Sequence, residues 1–291
     1  MKKRCVVVTV IITALNVVSA VLIDNKMLMA FVCLAVTGTG VALLYYWLLE
    51  PVLEMKNKLR KISEENQRIE NLRKEFVANV THELNTPLTS ISGFVETLQD
   101  GAAEDPEIRS KFIDIIAIES SRLKRLIEDL LVLSEIENKK EAAPEKIDIK
   151  RSITDTVEII RPIAQSRRVD LIMQIEGPLY IKGSGDRFRQ MMVNLIENAI
   201  KYSNEGGRVW IKGRKESGRI VISVKDEGIG IAEENLDRLF ERFYRVDKSR
   251  SRKVGGTGLG LSIVKHIAAL FGADLKVESE IGKGSEFFVI F

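Results

Sequence analysis

The sequence predicts a multidomain chain. Two transmembrane helices come first, then an antiparallel helical hairpin suited to a dimeric four-helix bundle, then an α+β domain. Three observations carry this. Two uncharged apolar segments open the chain, Cys5–Ile23 and Met27–Leu49. From Pro51 to about Glu137 apolar residues recur at helical spacing, with one break at "GAAEDPE" (Gly101–Glu107). Beyond the polar stretch "ENKKEAAPEK" (Glu137–Lys146) the period changes to strand-like alternation with helical stretches between.

A span needs roughly 20 largely apolar residues, and both opening segments qualify. A cleavable leader is the rival for the first, but its apolar region runs to about 7–15 residues and ends in a small-residue cleavage site. Only "DNK" (Asp24–Lys26) separates the two spans, too little for a folded sensor, so they form an antiparallel hairpin. Lys2, Lys3 and Arg4 precede it, and Lys56, Lys58, Arg60 and Lys61 follow it. Basic flanks on both sides place both termini in the cytoplasm of a two-span protein of the cell membrane. Tyr45, Tyr46 and Trp47 fall where an interfacial aromatic anchor belongs. Cys5 and Cys33 sit within the apolar runs and read as small apolar residues. A net charge of +3 supplies no tail for nucleic acid, which is not expected as a partner.

Pro51 reads as a first-turn residue of the helix that follows. Met55, Leu59, Ile62, Asn66, Ile69, Phe76 and Val80 then keep a 4,3 spacing, interrupted at Arg73, which suits a coiled-coil seam. Past the Gly/Pro break, Ile108, Phe112, Ile115, Glu119, Leu123, Leu126, Leu130 and Leu133 resume it. A hairpin with one apolar face must bury it, and dimerisation into a four-helix bundle does so. In the last part, Val169–Ile175, Arg208–Arg214, Arg219–Asp226, Leu275–Ser279 and Ser285–Ile290 alternate as half-buried strands. Helical stretches lie near Arg151–Arg167, Gly185–Tyr202 and Thr257–Phe271. The expected divisions are a membrane hairpin (1–50), a signalling coiled coil (51–72), a phosphotransfer hairpin (73–138), a linker (139–147) and a catalytic domain (148–291).

Four motifs stand out. "FVANVTHELNTPLTSISGF" (Phe76–Phe94) holds His82, one of only two histidines in the chain. In "NLIENAIKYS" (Asn194–Ser203), Asn194 and Asn198 share a helix face, and their oxygens are hard ligands suited to magnesium. On its own the pair is weak evidence and reads more readily as plain helix surface. "DEGIGI" (Asp226–Ile231) ends a strand with a carboxylate and two glycines that admit a ligand to the backbone. "GGTGLGL" (Gly255–Leu261) opens a helix, where backbone N–H groups and the dipole favour anions; a tight turn into a helix is the alternative. It lacks the GK[ST] ending of a P-loop.

Together and in this order, these motifs resemble the boxes of sensor histidine kinases. The last three are similar to the N, G1 and G2 boxes of the ATP-binding domain shared by histidine kinases, DNA gyrase and MutL. "LFERFYR" (Leu239–Arg245) resembles the F box, and the His82 stretch the H box of the HisKA-type dimerisation and phosphotransfer domain. The resemblance covers about residues 70–291. It implies an α+β sandwich for the last domain and a bacterial protein-histidine kinase. ATP would phosphorylate His82, a separate response regulator would receive the phosphoryl group on an aspartate, and phosphatase activity toward that regulator would accompany it. The active form would be a homodimer.

Residue by residue, the resemblance gives Asp226 the adenine amino group and Asn198 the Mg²⁺, with Asn194 alongside. Lys201 approaches phosphate and Tyr202 the nucleotide edge. Gly228 and Gly230 shape the G1 turn; Gly256, Thr257, Gly258, Leu259 and Gly260 form the phosphate loop. Arg245, with Arg242 as second choice, stabilises the transferring phosphoryl group. "VDKSRSRKVGG" (246–256) matches the mobile ATP lid. Glu83 is the carboxylate that orients the His82 imidazole, and Thr86, one turn on, positions water in the reverse reaction. Asn85 departs from the Arg or Lys of many relatives, which bears on regulator preference. His266 matches no motif and reads as structural. The superfamily's plain ATPases carry a glutamate one turn before the metal asparagine, where this chain has Asn194; that favours transfer over hydrolysis. Intact nucleotide boxes argue against a non-catalytic scaffold or a phosphatase-only relative. With no extracytoplasmic or PAS-like domain in the sequence, input is expected through the membrane hairpin, a membrane partner or the short coiled coil.

Pro87 lacks an N–H for the Glu83 carbonyl, which weakens the helix beside His82. Replacing Pro87 by Ala is expected to change the ratio of kinase to phosphatase activity; equal ratios in the two proteins would remove this role.

Overall fold

The computed structural model describes residues 2–22, 26–137, 144–246 and 256–291. Asp24 and Asn25 of the predicted turn, residues 139–143 of the predicted linker, and residues 247–255 of the predicted lid lie outside them. The chain divides into two units, Met1–Glu75 and Phe76–Phe291.

In the first unit, α1 (Lys2–Leu22) is followed by α2 (Lys26–Gln99), a single helix that also enters the second unit. The two touch closely: a Cβ on Gly40 would overlap the Ile12 side chain, and the Cys33 thiol reaches the Asn16 carbonyl at 4.0 Å. Thr37 and Thr39 return their hydroxyl protons to the carbonyls of Cys33 and Ala35, at 2.8 and 2.9 Å. That satisfies polar groups on the apolar first part of α2 without outside partners. Among the described residues one helix, α2, is long and apolar enough to cross a membrane by length and composition. The expected pair of spans is matched by that one qualifying helix. Pro51 lies inside α2 and not at a first turn, because the helix begins 25 residues earlier, at Lys26. The predicted seam residues Met55, Leu59, Ile62 and Ile69 all stand exposed on the single chain.

The second unit begins with the end of α2 and its return. Gly101 (φ 110°) turns the chain, and Asp105 Oδ1 accepts the N–H groups of Glu107 and Ile108 at 2.9 and 3.3 Å. This cap starts α3 (Pro106–Glu137). Phe94 and Phe112 meet across the hairpin, ring centroids 4.8 Å apart. The apolar residues of α3 split between two faces. Leu126, Leu133 and Ile136 are buried in one core with the α+β domain, while Ile113, Ile118, Ile127 and Leu131 stay exposed.

The remainder is a two-layer sandwich. A five-stranded sheet has the order β2-β4-β5-β7-β6: β2 (Asp170–Ile175), β4 (Arg208–Glu216), β5 (Arg219–Asp226), β6 (Asp274–Glu280) and β7 (Gly284–Ile290). β2 and β4 are parallel, and the other neighbours antiparallel. Helices α4 (Ile149–Ser166), α5 (Gly185–Tyr202) and α7 (Gly260–Leu270) pack on it and on one another. A separate antiparallel ribbon pairs β1 (Glu145–Asp148) with β3 (Tyr180–Gly183). So the last three residues of the predicted linker are strand. A four-residue helix, α6 (Glu233–Leu236), precedes the predicted F box.

Side-chain caps start two of the helices: Asp148 accepts from Arg151 N for α4, Ser184 from Arg187 N for α5. The inward face of α5, Phe188, Met191, Met192, Leu195, Ile196, Ala199 and Ile200, is buried. That leaves Asn194 and Asn198, one turn apart, half-buried at its flank. Phe188 meets Phe271 edge-on at 6.3 Å, and Phe271 meets Phe291 at 5.8 Å. Phe188→Ala is expected to destabilise the catalytic domain by about 3–5 kcal/mol, read as a lower urea midpoint for the transition that exposes Trp210.

Candidate functional site

The floor of the site is the end of β5. Asp226 is buried at 3% exposure. Its Oδ1 accepts the backbone N–H of Gly228 at 2.9 Å and of Ser285 at 3.3 Å. Burial pushes its pKa up to about 6, against the pull of these two bonds. The glycine at 228 has a steric reason: a Cβ there would run into the Tyr202 carbonyl. The Tyr202 carbonyl also takes the Ile229 N–H at 3.3 Å, so the N and G1 motifs are joined through backbone. Gly230 lies against the Glu280 carbonyl.

The wall is the flank of α5. Asn194 Oδ1 would stand 3.7 Å from a Cβ at Gly260, so the N motif faces the start of α7. The Asn194 Nδ2 is buried with no hydrogen-bond partner among the described residues. Two amides one turn apart, one with an unsatisfied buried polar atom, fit a nucleotide with Mg²⁺ held chiefly by phosphate and water. Lys201 has its pKa lowered to about 8, first by burial and then by the positive charges of Arg245, Arg125 and Arg167. Its Nζ lies 5.3 Å from the Tyr202 ring centroid. This cluster of cations suits a polyanion.

The phosphate loop runs from Gly256 to Gly260, where α7 begins. Gly258 has φ +76°, and a Cβ there would press on the Phe243 backbone. The Phe243 N–H donates to the Gly258 carbonyl at 2.9 Å, tying the F and G2 motifs together. Phe243 itself is left-handed at φ 62°, an uncommon conformation for a bulky residue. Thr257 Oγ1 accepts the Leu259 N–H at 3.2 Å.

His82 is exposed on α2. Glu83, expected to orient that imidazole, is engaged by two arginines in this arrangement. Glu83 Oε2 accepts from Arg122 Nη2 at 3.1 Å and from Arg245 Nη2 at 2.8 Å. The reason is electrostatic: Arg122 and Arg245 have side chains only 9% and 6% exposed, and two buried guanidinium groups outcompete an exposed imidazole. Arg245 Nε is buried without a partner among the described residues and lies beside Gly258. Thr86 donates its hydroxyl to the His82 carbonyl at 2.9 Å, and Pro87 is buried. Arg242 stacks on Phe76, 5.0 Å from the ring centroid, and lies 3.2 Å from His266 Nε2. His266 Nδ1 is 2.7 Å from the Ser262 carbonyl, which makes Nδ1 the donor and Nε2 the acceptor for Arg242.

The structure adds residues that the motifs did not supply. Arg122 grips Glu83; Asp129 accepts from Thr257 Oγ1 at 2.6 Å; Arg187 pairs with Glu135 at 2.9 Å. Burial raises the pKa of both Asp129 and Glu197. A signal existed in α3: Arg122, Leu126, Asp129, Leu133 and Ile136 repeat at 4,3,4,3, a row buried but for the half-buried Asp129 and with two charged members.

Residues 72–139 match the His Kinase A (phospho-acceptor) domain. Residues 183–291 match the histidine kinase-, DNA gyrase B- and HSP90-like ATPase. A helical phosphoacceptor hairpin followed by this ATPase domain defines a histidine kinase. The sensor histidine kinase WalK of Bacillus subtilis (strain 168) is 40% identical over 225 residues, 76% of this chain and 37% of WalK. The chain thus spans little more than a third of that relative's length. The histidine kinase ThkA, solved in complex with the response regulator protein TrrA, aligns with a TM-score of 0.62 at 26% identity, over 79% of this chain and 65% of ThkA. Full-length ShkA in complex with AMPPNP aligns at 0.54 and 28% identity, over 74% of this chain and 45% of ShkA. Over these two matched regions the chain is similar to sensor histidine kinases.

The raised pKa of Asp226 has a sign. The folded state disfavours the carboxylate, so the penalty is absent below about pH 4, builds between about 4 and 6, and is complete above that, reaching about 3 kcal/mol. Asp226→Asn is expected to melt higher than the natural protein at pH 7.5, with the gap closing as pH falls to 4, while losing nucleotide binding.

Proposed function

We propose that this chain autophosphorylates His82 from ATP and passes the phosphoryl group to an aspartate of a separate response regulator. The observation that carries the reading is the Arg245–Glu83 bond: an arginine of the ATP-binding domain beside the phosphate loop meets the residue next to the phosphoacceptor.

Asp226 receives the adenine amino group on the carboxylate oxygen not used by Gly228 and Ser285. Tyr202 and the G1 glycines Gly228 and Gly230 border the base. Asn198 and Asn194 hold Mg²⁺, which when bound neutralises charge on the phosphates. Lys201 and the loop Gly256–Gly260, with Thr257 and Leu259, meet the phosphates. The neutral His82 imidazole attacks the γ-phosphorus: an N–P bond forms, the bond to the bridging oxygen breaks, and ADP departs. Glu83 takes up or offsets the developing positive charge on the ring, and Arg245 the charge on the moving phosphoryl group. Both must leave each other to do so, so catalysis follows rearrangement of the contact described. Arg242, engaged by Phe76 and His266, is the weaker choice for phosphate. In the reverse reaction Thr86 turns its hydroxyl from the His82 carbonyl to a water.

Several features support the wider reading. The exposed apolar rows of α2 and α3 suit a homodimer built as a four-helix bundle, with a coiled coil over 51–72, a phosphotransfer hairpin over 73–138 and a catalytic domain over 148–291. The apolar segments Cys5–Ile23 and Met27–Leu49 act as two spans with both ends cytoplasmic, and a membrane partner delivers the signal.

Incubating the chain with γ-labelled ATP tests this. Acid-labile, alkali-stable label on the protein, lost in His82→Gln and transferable to a receiver domain, is expected. Release of free phosphate with no labelled protein would replace the kinase by a plain ATPase.

A further inference from the structure

The phosphate loop is bonded to a residue outside every motif. Thr257 Oγ1 donates to Asp129 Oδ2 at 2.6 Å, and the same oxygen accepts the Leu259 N–H at 3.2 Å. Leu259 is the N-cap residue of α7. A hydroxyl carries one proton, so Thr257 bonded to Asp129 has none for a phosphate oxygen. The Leu259 N–H, a donor that a helix start offers to an anion, is also occupied. The carboxylate is thus bonded to the loop as a phosphate oxygen would be.

The two carboxylates next to the loop sit uneasily in their charged form, although Arg125 offsets part of this. Burial disfavours the charged form of Asp129, and Glu197 feels burial and the repulsion of Asp129. A triphosphate brought to Thr257 would add to both. By contrast, the Arg187–Glu135 pair also links α3 to the ATP-binding domain, but its carboxylate is 61% exposed and neither partner belongs to the nucleotide motifs.

We propose that Asp129 is a positioning residue for the kinase reaction: its carboxylate stands in for a phosphate oxygen at Thr257 and holds the loop in an arrangement that ATP must displace. This rests on the ATP-binding reading above. Asp129 touches no reacting atom; it acts through Thr257.

The test measures Kd for AMPPNP with Mg²⁺, and for adenosine, on the full chain in lipid nanodiscs. The natural protein is compared with Asp129→Ala, Asp129→Asn and Glu135→Ala, each also followed by thermal melting. Asp129→Ala is expected to bind AMPPNP roughly tenfold tighter, the worth of a charged hydrogen bond no longer in competition. Asp129→Asn, isosteric and uncharged, is expected to bind it tighter by a smaller factor, and it decides the matter if the Ala variant does not fold. Adenosine affinity is expected to stay constant, Glu135→Ala to bind as the natural protein does, and KM for ATP to fall in Asp129→Ala without a fall in kcat. Unchanged or weaker AMPPNP binding in both Asp129 variants overturns the proposal. So does an equal gain for adenosine or in Glu135→Ala. Absence of AMPPNP binding by every protein, the natural one included, overturns the ATP reading with it.

Discussion

One carboxylate oxygen, Glu83 Oε2, sits between the guanidinium groups of Arg122 and Arg245. Arginine does not shed its charge in a protein, and an unpaired buried charge costs several kcal/mol. That oxygen serves both, with Glu119 as a second, longer partner of Arg122 at 3.7 Å. The apolar contacts that α3 makes through Leu126, Leu133 and Ile136 therefore accompany a charge arrangement that has to be satisfied at the same time. Packing alone would tolerate small sliding of the ATP-binding domain along the hairpin; a shared oxygen at 2.8 and 3.1 Å does not.

The nucleotide site depends on the same kind of compromise. Asp226 is kept buried where its charge is unwelcome, and two backbone N–H groups offset only part of that cost. Lys201 is held among other cations, and Asn194 and Arg245 each keep a polar atom without a partner. These arrangements weaken a protein folded for its own sake. Each becomes favourable once an adenine amino group or a phosphate oxygen completes it, which is how binding energy is stored in a site before the ligand arrives.

Much of the architecture was legible because the long elements obey a simple period. α5 has the bounds read from the sequence, Gly185–Tyr202, and the five longer strands alternate clearly enough to be found. β1 and β3 escaped because four residues hold too little alternation to register, and they exist through their pairing with each other. The nucleotide motifs were legible because glycine and asparagine carry their chemistry locally. The ion pairs of Glu83 were not legible because its partners are 39 and 162 residues away. A neighbouring histidine is visible in a string of letters; a distant arginine brought near by packing is not. In α3, Arg122 and Asp129 escaped notice because they look like surface residues until their partners are known.

The single proton of Thr257 has a consequence beyond the site itself. If the hairpin and the nucleotide draw on the same donor, thermodynamic reciprocity requires each to loosen the other by the same factor. A stimulus that shifts α3 against the ATP-binding domain would then be felt as a change in apparent ATP affinity. Conversely, the energy charge of the cell would set how firmly the domains clasp, so the level of ATP itself becomes part of what the protein reports.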